Sequence, residues 1–232
     1  MTKRLLIIPA RSGSKRILNK NIKKFFNKPI INRSIETALK SKLFQEIHVS
    51  TDSKKILKNV LKTGIRVNFL RPKRLSKDTT PIFDVIGFVL DNYKKKNFLF
   101  DEIWSMSACS PLITKNDLID ASKLILNNPT KIVLPISKYQ APIEWAFKFK
   151  NNSNLLRPLK KNAFKIRSQS LQEKYFDTGN FICFKYFMFD KIKKSPDTNC
   201  VGLKIPISRA VDIDTLEDWN FAEKLFKANK FK

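Results

Sequence analysis

Leu5-Leu6-Ile7-Ile8-Pro9-Ala10-Arg11-Ser12-Gly13-Ser14-Lys15-Arg16 decides how the rest of the chain is read. Four consecutive apolar residues, Leu5 to Ile8, show no polar alternation. Such a run suits a strand buried on both faces, as in a parallel sheet. Pro9 ends it, and a polar loop follows over residues 10–28. That loop lies where the first strand ends, the usual ligand position in an open α/β sheet. Gly13 lets the backbone turn its N–H groups towards an anion. Arg11, Lys15, Arg16 and Lys20 add charge, while Ser14 and Asn21 add directional hydrogen bonds. The set suits a polyphosphate and charge developing on it; the plain alternative is a basic surface loop. The spacing is neither GxxxxGK[ST] nor GxGxxG, so an ATPase P-loop and a dinucleotide fingerprint are both excluded.

Downstream, helical and strand patterns alternate. Pro29 opens a helix with Ile31, Ile35, Ala38 and Leu39 on one face. Ile47–Ser50 reads as a strand, Ser53–Lys62 as a helix stopped at Gly64, and Val67–Leu70 as a third strand. Thr80–Lys95 is a helix with Ile82, Val85, Ile86, Val89 and Leu90 inward. Glu102–Met106 and Ile132–Ile136 are strands separated by a helix from Asn116 to Leu126. The rhythm predicts an α/β fold, a doubly wound, mostly parallel, Rossmann-like sheet. It breaks from Ser137 to Gln172, which is polar, carries Pro142 and Pro158, and offers short strand-like pieces such as Trp145–Lys148. This stretch reads as an inserted arm or lid. Strand character returns at Asn180–Phe184 and Gly202–Ile207. A last helix runs from about Thr215 to Ala228 with Leu216, Trp219, Ala222, Leu225 and Phe226 inward. One domain over 1–232 is expected, with an arm over 137–180.

The composition narrows the partners. Lys plus Arg is 46 against 20 acidic residues, a formal charge of +26. Nucleic acid, a membrane surface or an anionic small molecule are the first candidates for such a chain. A hydrophobic fraction of 42% excludes a disordered polycation. The basic residues are 36 Lys and only 10 Arg, scattered in short runs such as Lys94–Lys96. This is a solvated lysine surface rather than the Arg forks and clustered faces of a nucleic-acid reader. No apolar run approaches the ~18 residues of a membrane helix, so no membrane role is expected. The apolar stretch Leu5–Ile8 is also too short for a signal-peptide core. Cys109, Cys183 and Cys200 lack CxxC spacing, and His48 is the sole histidine. A disulfide framework or zinc site is therefore not expected. Three small core thiols in a reduced, cytoplasmic setting fit instead.

Three further clusters can carry chemistry. In Asp212-Ile213-Asp214, strand alternation would put both carboxylates on one side, with Val211 and Ile213 on the other. Two adjacent carboxylates repel, and a divalent cation between them resolves this. Mg²⁺ prefers such oxygens together with substrate phosphates. The alternative is capping: Asp214 could cap the helix from Thr215, with Glu217 in its first turn. Both can hold. Arg71-Pro72 precedes Ser76, Asp78, Thr79 and Thr80; either Asp78 or Thr79 caps the next helix, or Arg71 meets a phosphate or base. Asp52, after Ser50-Thr51, reads as a helix cap.

Taken in order, these residues resemble the cytidylyltransferases that activate nonulosonic, sialic-acid-like sugars. Ile8-Pro9-Ala10-Arg11-Ser12-Gly13-Ser14-Lys15-Arg16-Ile17 with Lys20-Asn21-Ile22 is similar to that family's opening motif. Val49-Ser50-Thr51-Asp52, Arg71-Pro72 with Leu75 and Asp78, and Asp212-Ile213-Asp214-Thr215 follow in the expected places. Arg167-Ser168-Gln169, Leu171, Tyr175, Asp177 and Gly179, with Pro142-Ile143, look most like the pseudaminic acid members. The chain departs from the sialic acid pattern at Met106-Ser107-Ala108-Cys109-Ser110-Pro111, where Ser107 stands in place of a Gln. Glu144 stands near a sugar-binding Lys of some sialic acid enzymes.

The resemblance implies transfer of CMP from CTP to the anomeric hydroxyl of a nonulosonic acid, with release of pyrophosphate. It implies that Arg11, Lys15, Lys20 and Arg71 hold the triphosphate and that Asp212 and Asp214 hold Mg²⁺. Ala10, Gly13, Ser14, Asn21, Ser76, Thr79, Thr80 and Ser107 would complete the nucleotide site. Gln140, Arg167, Gln169, Tyr175 and Asp177 would meet the sugar, an Arg fork suiting its carboxylate. A homodimer is implied, with the arm reaching over the partner's active site. The alternatives are a legionaminic, N-acetylneuraminic or 3-deoxy-octulosonic acid substrate, a member that binds CTP without turnover, or a basic nucleic-acid-binding protein.

Overall fold

The computed structural model describes residues 2–150, 153–196 and 199–229. β1 (Arg4–Pro9) leads through the cationic loop to a hairpin of β2 (Lys24–Phe25) and β3 (Lys28–Pro29). Then come α1 (Ile30–Ser41), β4 (Glu46–Ser50), α2 (Lys54–Leu61), α3 (Ile82–Lys94), β5 (Glu102–Met106), α4 (Lys115–Asn127) and β6 (Ile132–Lys138). Beyond β6, β7 (Phe147–Phe149) and β8 (Leu156–Pro158) form a second hairpin, and β9 (Tyr175–Asp177) returns to pair with β6. β10 (Phe181–Lys185), α5 (Phe189–Lys194), β11 (Cys200–Lys204) and α6 (Leu216–Asn229) complete the chain.

The main sheet has the order β11-β6-β10-β5-β1-β4, with β9 added alongside β6. β1 lies parallel between β4 and β5, and β11 is parallel to β6. β10 is antiparallel to both neighbours, β5 and β6, and β9 is antiparallel to β6. Five of these seven strands therefore share one direction, and the sheet is mostly parallel as expected.

The unbroken apolar run of β1 follows from two covered faces. Leu6 and Ile8 pack with α1, α2 and α4 through Ile31, Ile35, Ile56, Val60, Leu118 and Ala121. Leu5 and Ile7 face the opposite layer, α3 and α5, through Ile86, Val89, Leu90 and Ile192. All four side chains of the run are fully buried. Burial of each contributes on the order of 1.5–3 kcal/mol relative to exposure. In a third cluster Ile17 of the cationic loop packs with Phe25, Val211, Ile213 and Trp219. Phe25 and Trp219 meet edge to face at 5.4 Å, joining the β2–β3 hairpin to α6.

Several local expectations are corrected. Residues 67–70 form no strand; they pass beside edge strand β4 without a ladder. Phe69 instead stacks on His48 at 4.3 Å, and Asn68 bonds Glu46 and the Tyr93 hydroxyl. Ile143–Trp145 is a single 3-10 turn, so the arm strand begins later, at Phe147. Leu39, Ile82 and Leu216 are exposed, each lying at the edge of a helix face whose other members are buried or packed on the core. Cys109 and Cys183 are core residues, but Cys200 is exposed at the start of edge strand β11. Within the arm span 137–180, residues 151–152 lie outside the described residues. No helix among the described residues is long and apolar enough to cross a membrane.

Candidate functional site

The loop after β1 is built by its own polar groups. The Ala10 amide continues the β1–β4 ladder by donating to Ser50 at 2.9 Å. Asn21, itself buried, donates from its side chain to the Arg11 carbonyl at 2.9 Å. Arg11 in turn donates to the Gly13 carbonyl, and a Cβ added at Gly13 would lie 3.3 Å from the Arg11 guanidinium. Asp52 accepts from the Ser12 amide at 2.9 Å and from its hydroxyl at 2.7 Å. Asp52 is therefore a brace for this loop and not a helix cap. Ser53 takes the cap position and accepts from the Ile56 amide.

The loop walls a cavity of about 270 Å³. Arg11, Ser14, Lys15, Lys20, Asn21, Arg71, Thr80, Ser107 and Asp214, all expected at the site, line it. Ser76 and Thr79 do not line it; the Ser76 hydroxyl turns back to donate to the Pro72 carbonyl at 3.2 Å. Ala10, Gly13 and Asp212 are likewise absent from the lining and act from behind or beside it. Sequence reasoning missed Lys77, Val85 and Cys109 as lining residues. Cys109 carried a local signal, since it follows the end of β5 by three residues, next to β1 in the sheet.

Arg71 is the most informative member. It is 5% exposed, and its Nε and Nη2 find no hydrogen-bond partner among the described residues. Burial pulls its pKa below the ordinary arginine value; Asp52 counters this and Arg11 adds repulsion. The group stays protonated. A buried, charged donor aimed into a cavity is costly unless a ligand answers it.

The carboxylates around the cavity are already paired. Lys15 binds Asp78 at 2.6 Å, and this contact holds the Asp78 carboxyl below the usual range. Neither Asp78 nor Thr79 caps α3, whose N-terminus falls at Pro81 without a side-chain cap. On the other side, Arg16 binds Asp214 Oδ2 at 2.9 Å and Lys20 binds Asp214 Oδ1 at 3.2 Å. Lys20 also donates to the Ile213 carbonyl at 2.7 Å.

Residues 211–214 are extended without joining a strand. The expected alternation still holds, because Val211 and Ile213 are buried in the third cluster. Asp214 does not cap α6. Thr215 and Asp218 form the cap instead: the Asp218 amide donates to the Thr215 hydroxyl, and Asp218 accepts from the amides of Asp214 and Thr215. Asp214 thereby keeps its side chain for the cavity. Asp212 lies beside Gly179, where an added Cβ would be 3.3 Å from its Oδ2. Gly179 has φ +67°, and its amide donates to Asp177 at 2.9 Å. Solvent reaches Asp212, yet the protein packed around it, and then the Asp214 charge, raise its pKa above the carboxylate range.

No group of three or more His, Cys, Asp or Glu stands ready for a metal among the described residues. Two carboxylates alone suit a hard cation that completes its shell with phosphate oxygens and water. The donor set fits Mg²⁺ arriving with a triphosphate and does not fit a resident all-protein cage.

The expected sugar-binding residues are divided. Gln140 and Gln169 line a second cavity of about 270 Å³ in the arm, with Pro142, Leu171 and Gln172. Tyr175 lines a neighbouring cavity with Gln140 and Lys204; its hydroxyl donates to Glu173 at 2.7 Å, and the Lys204 ammonium lies 4.8 Å from its ring centre. Arg167 is exposed and lines neither. Asp177 is exposed and, through Gly179, neighbours Asp212. Neither arm cavity shares a lining residue with the cavity of the cationic loop.

Comparison with known proteins shows the family. A family model described as cytidylyltransferase matches residues 5–225. A pseudaminic acid cytidylyltransferase of Campylobacter jejuni is 35% identical over 231 residues, covering 98% of this chain and 97% of the relative. A CMP-N,N'-diacetyllegionaminic acid synthase of Legionella pneumophila is 30% identical over 227 residues, covering 97% of each. Among solved structures, a CMP:2-keto-3-deoxy-manno-octonic acid synthetase complexed with CTP superposes with a TM-score of 0.70 at 16% identity. It covers 98% of this chain and 100% of that one, and bears on the fold.

Proposed function

This chain belongs to the cytidylyltransferase family, and we propose that it transfers CMP from CTP to the anomeric hydroxyl of pseudaminic acid, releasing pyrophosphate. The observation that carries the nucleotide half is the buried Arg71 guanidinium, whose Nε and Nη2 have no hydrogen-bond partner among the described residues, in a cavity shared with Arg11, Lys15 and Lys20. Identity to the pseudaminic acid relatives over nearly the whole chain supports the choice of sugar.

Arg11, Lys15, Lys20 and Arg71 neutralise the triphosphate, with Asn21 and Gly13 shaping the loop around it. Ser14, Thr80 and Ser107 supply hydroxyls along the same cavity. Asp212 and Asp214 would hold Mg²⁺, which polarises phosphate oxygens and offsets charge developing in the transfer. Lys20, tied to Ile213, adds a fixed positive charge next to those carboxylates. The sugar hydroxyl yields its proton to a carboxylate of that pair. His48 is unsuited to this role, being fully buried under Phe69 with its pKa lowered to about 4 by burial and by Lys96.

Gln140, Arg167, Gln169, Tyr175 and Asp177 present the sugar-facing chemistry. The arm cavities lined by Gln140, Gln169 and Tyr175 share no lining residue with the Arg71 cavity, which supports a homodimer in which each arm serves the partner's active site, whereas Asp177 lies near Asp212 of its own chain. Ile143, Phe147, Phe149, Leu156, Leu159 and Phe164 leave a broad apolar surface exposed on the arm, as an obligate interface requires. A nucleotide substrate and reduced core thiols fit a cytoplasmic enzyme. The test is pyrophosphate release from CTP and Mg²⁺ with a panel of nonulosonic acids. Release should be fastest with pseudaminic acid; no release with any of them refutes the proposal.

A further inference from the structure

Both oxygens of Asp214 are engaged by the chain's own cations. A divalent ion and these cations compete for the same oxygens. The two cations are not alike. The Lys20 side chain is 21% exposed and anchored a second time on the Ile213 carbonyl. The Arg16 side chain is 65% exposed, and Asp214 is its one ion-pair partner among the described residues. Arg16 also lines the cavity together with Arg11 and Lys15. A triphosphate entering there offers its guanidinium a denser anion than one carboxylate, in the bidentate geometry that arginine favours.

We propose that Arg16 is a displaceable counter-ion for Asp214: it screens the carboxylate from divalent cations until a triphosphate draws the guanidinium away. The ion and the nucleotide then enter as one unit. This rests on the metal reading of Asp212 and Asp214 given above. The screen is light, because exposed ion pairs are weak, and a polyanion displaces it readily. Lys20 stays behind on Ile213 and keeps one positive charge beside the two carboxylates after Arg16 has moved. Arg16 is thus a positioning residue for metal entry, distinct from the groups that hold the triphosphate throughout.

The experiment is a Mn²⁺ titration of the protein followed by electron paramagnetic resonance, first without nucleotide. Arg16→Ala should bind Mn²⁺ about three- to fivefold more tightly than the natural chain, the weight of one exposed ion pair. Lys15→Ala removes an equally exposed charge paired with Asp78 and should leave the affinity unchanged. In an Asp214→Asn background the gain from Arg16→Ala should vanish. No gain, an equal gain in Lys15→Ala, or a gain that survives Asp214→Asn overturns the proposal. A second titration adds CTP. If the protein-bound Mn²⁺–CTP signal is indifferent to Asp212→Asn and Asp214→Asn, the metal reading itself falls, and the proposal with it. If that dependence holds while Arg16→Ala shows no gain, the screening role alone is wrong.

Discussion

Lys20 and Ile213 stand 193 positions apart and are joined by one 2.7 Å hydrogen bond from the ammonium to the carbonyl oxygen. The bond ties the cationic loop after β1 to the acidic segment before α6. Lys20→Met should therefore lower kcat for CMP transfer by on the order of 10²-fold, the weight of a preorganised charge at a reacting phosphate. Thermal stability should change little. Steady-state pyrophosphate release and a melting curve on the same sample check both halves.

Asp212→Asn and Asp214→Asn should each reduce turnover by roughly 10³-fold, the scale of losing a principal charge stabiliser. Chelation should silence the natural enzyme, and added Mg²⁺ should restore it. Near-normal Mg²⁺-dependent activity in either variant means these carboxylates are not the metal ligands.

Arg71→Met should separate binding from folding. The guanidinium is buried, with no partner at Nε and Nη2 among the described residues, so the chain bears its desolvation cost. The variant should melt at or above the temperature of the natural protein, while the KM for CTP rises by about tenfold or more. A large loss of stability would show that Arg71 is a structural strut.

Gly179→Ala should act on Asp212. The position has φ +67°, and the new methyl would press on the carboxylate from 3.3 Å. The backbone strain is worth about 1–2 kcal/mol, visible as a lower melting temperature. The Mg²⁺ concentration for half-maximal activity should rise, whereas Gly64→Ala, also at positive φ but with open space around it, should cost stability alone.

His48 sets an acid limit on stability. Burial and Lys96 lower its pKa to about 4 from an ordinary value of 6.5. Its unfolded form takes a proton that the folded form refuses. The stabilisation is therefore complete above pH 6.5 and is lost as the pH falls towards 4. It amounts to ~3 kcal/mol at most. His48→Phe, which can still stack on Phe69, should flatten the melting temperature across that range. An unchanged slope would exclude His48 as its cause.

Much of this was legible in the chain. Leu5–Ile8 pointed to a doubly covered strand because a short unbroken apolar run stopped by Pro9 suits a strand better than a buried helix. The loop that walls the cavity was legible because its charges crowd the end of that strand. The direction of β10 was not, since alternation and propensity are the same for either polarity. The cap read at Asp52, and the caps left open at Asp78 and Asp214, do not form. Neighbouring Ser53 and Thr215 cap as well as Asp does, and Pro81 opens α3 without a side-chain cap. The aspartates pair instead with Ser12, Lys15, Arg16 and Lys20, partners 40 to 198 positions away along the chain, which local spacing does not reveal. The apolar period of Val67–Leu70 was real, but Phe69 spends its burial on His48 and not on a ladder.

β6 runs out into the arm, and β9 comes back hydrogen-bonded to that same strand, with Ile136 opposite Asp177 and Lys138 opposite Tyr175. The excursion between them is clasped at its root like a keyring. Closing a loop costs only slowly more as it lengthens. Residues in the excursion can be gained, lost or exchanged without shifting β1, β5 or the cationic loop. On the proposal that the excursion meets the sugar, a lineage can trade one acidic sugar for another by rewriting it while the cationic loop is inherited intact.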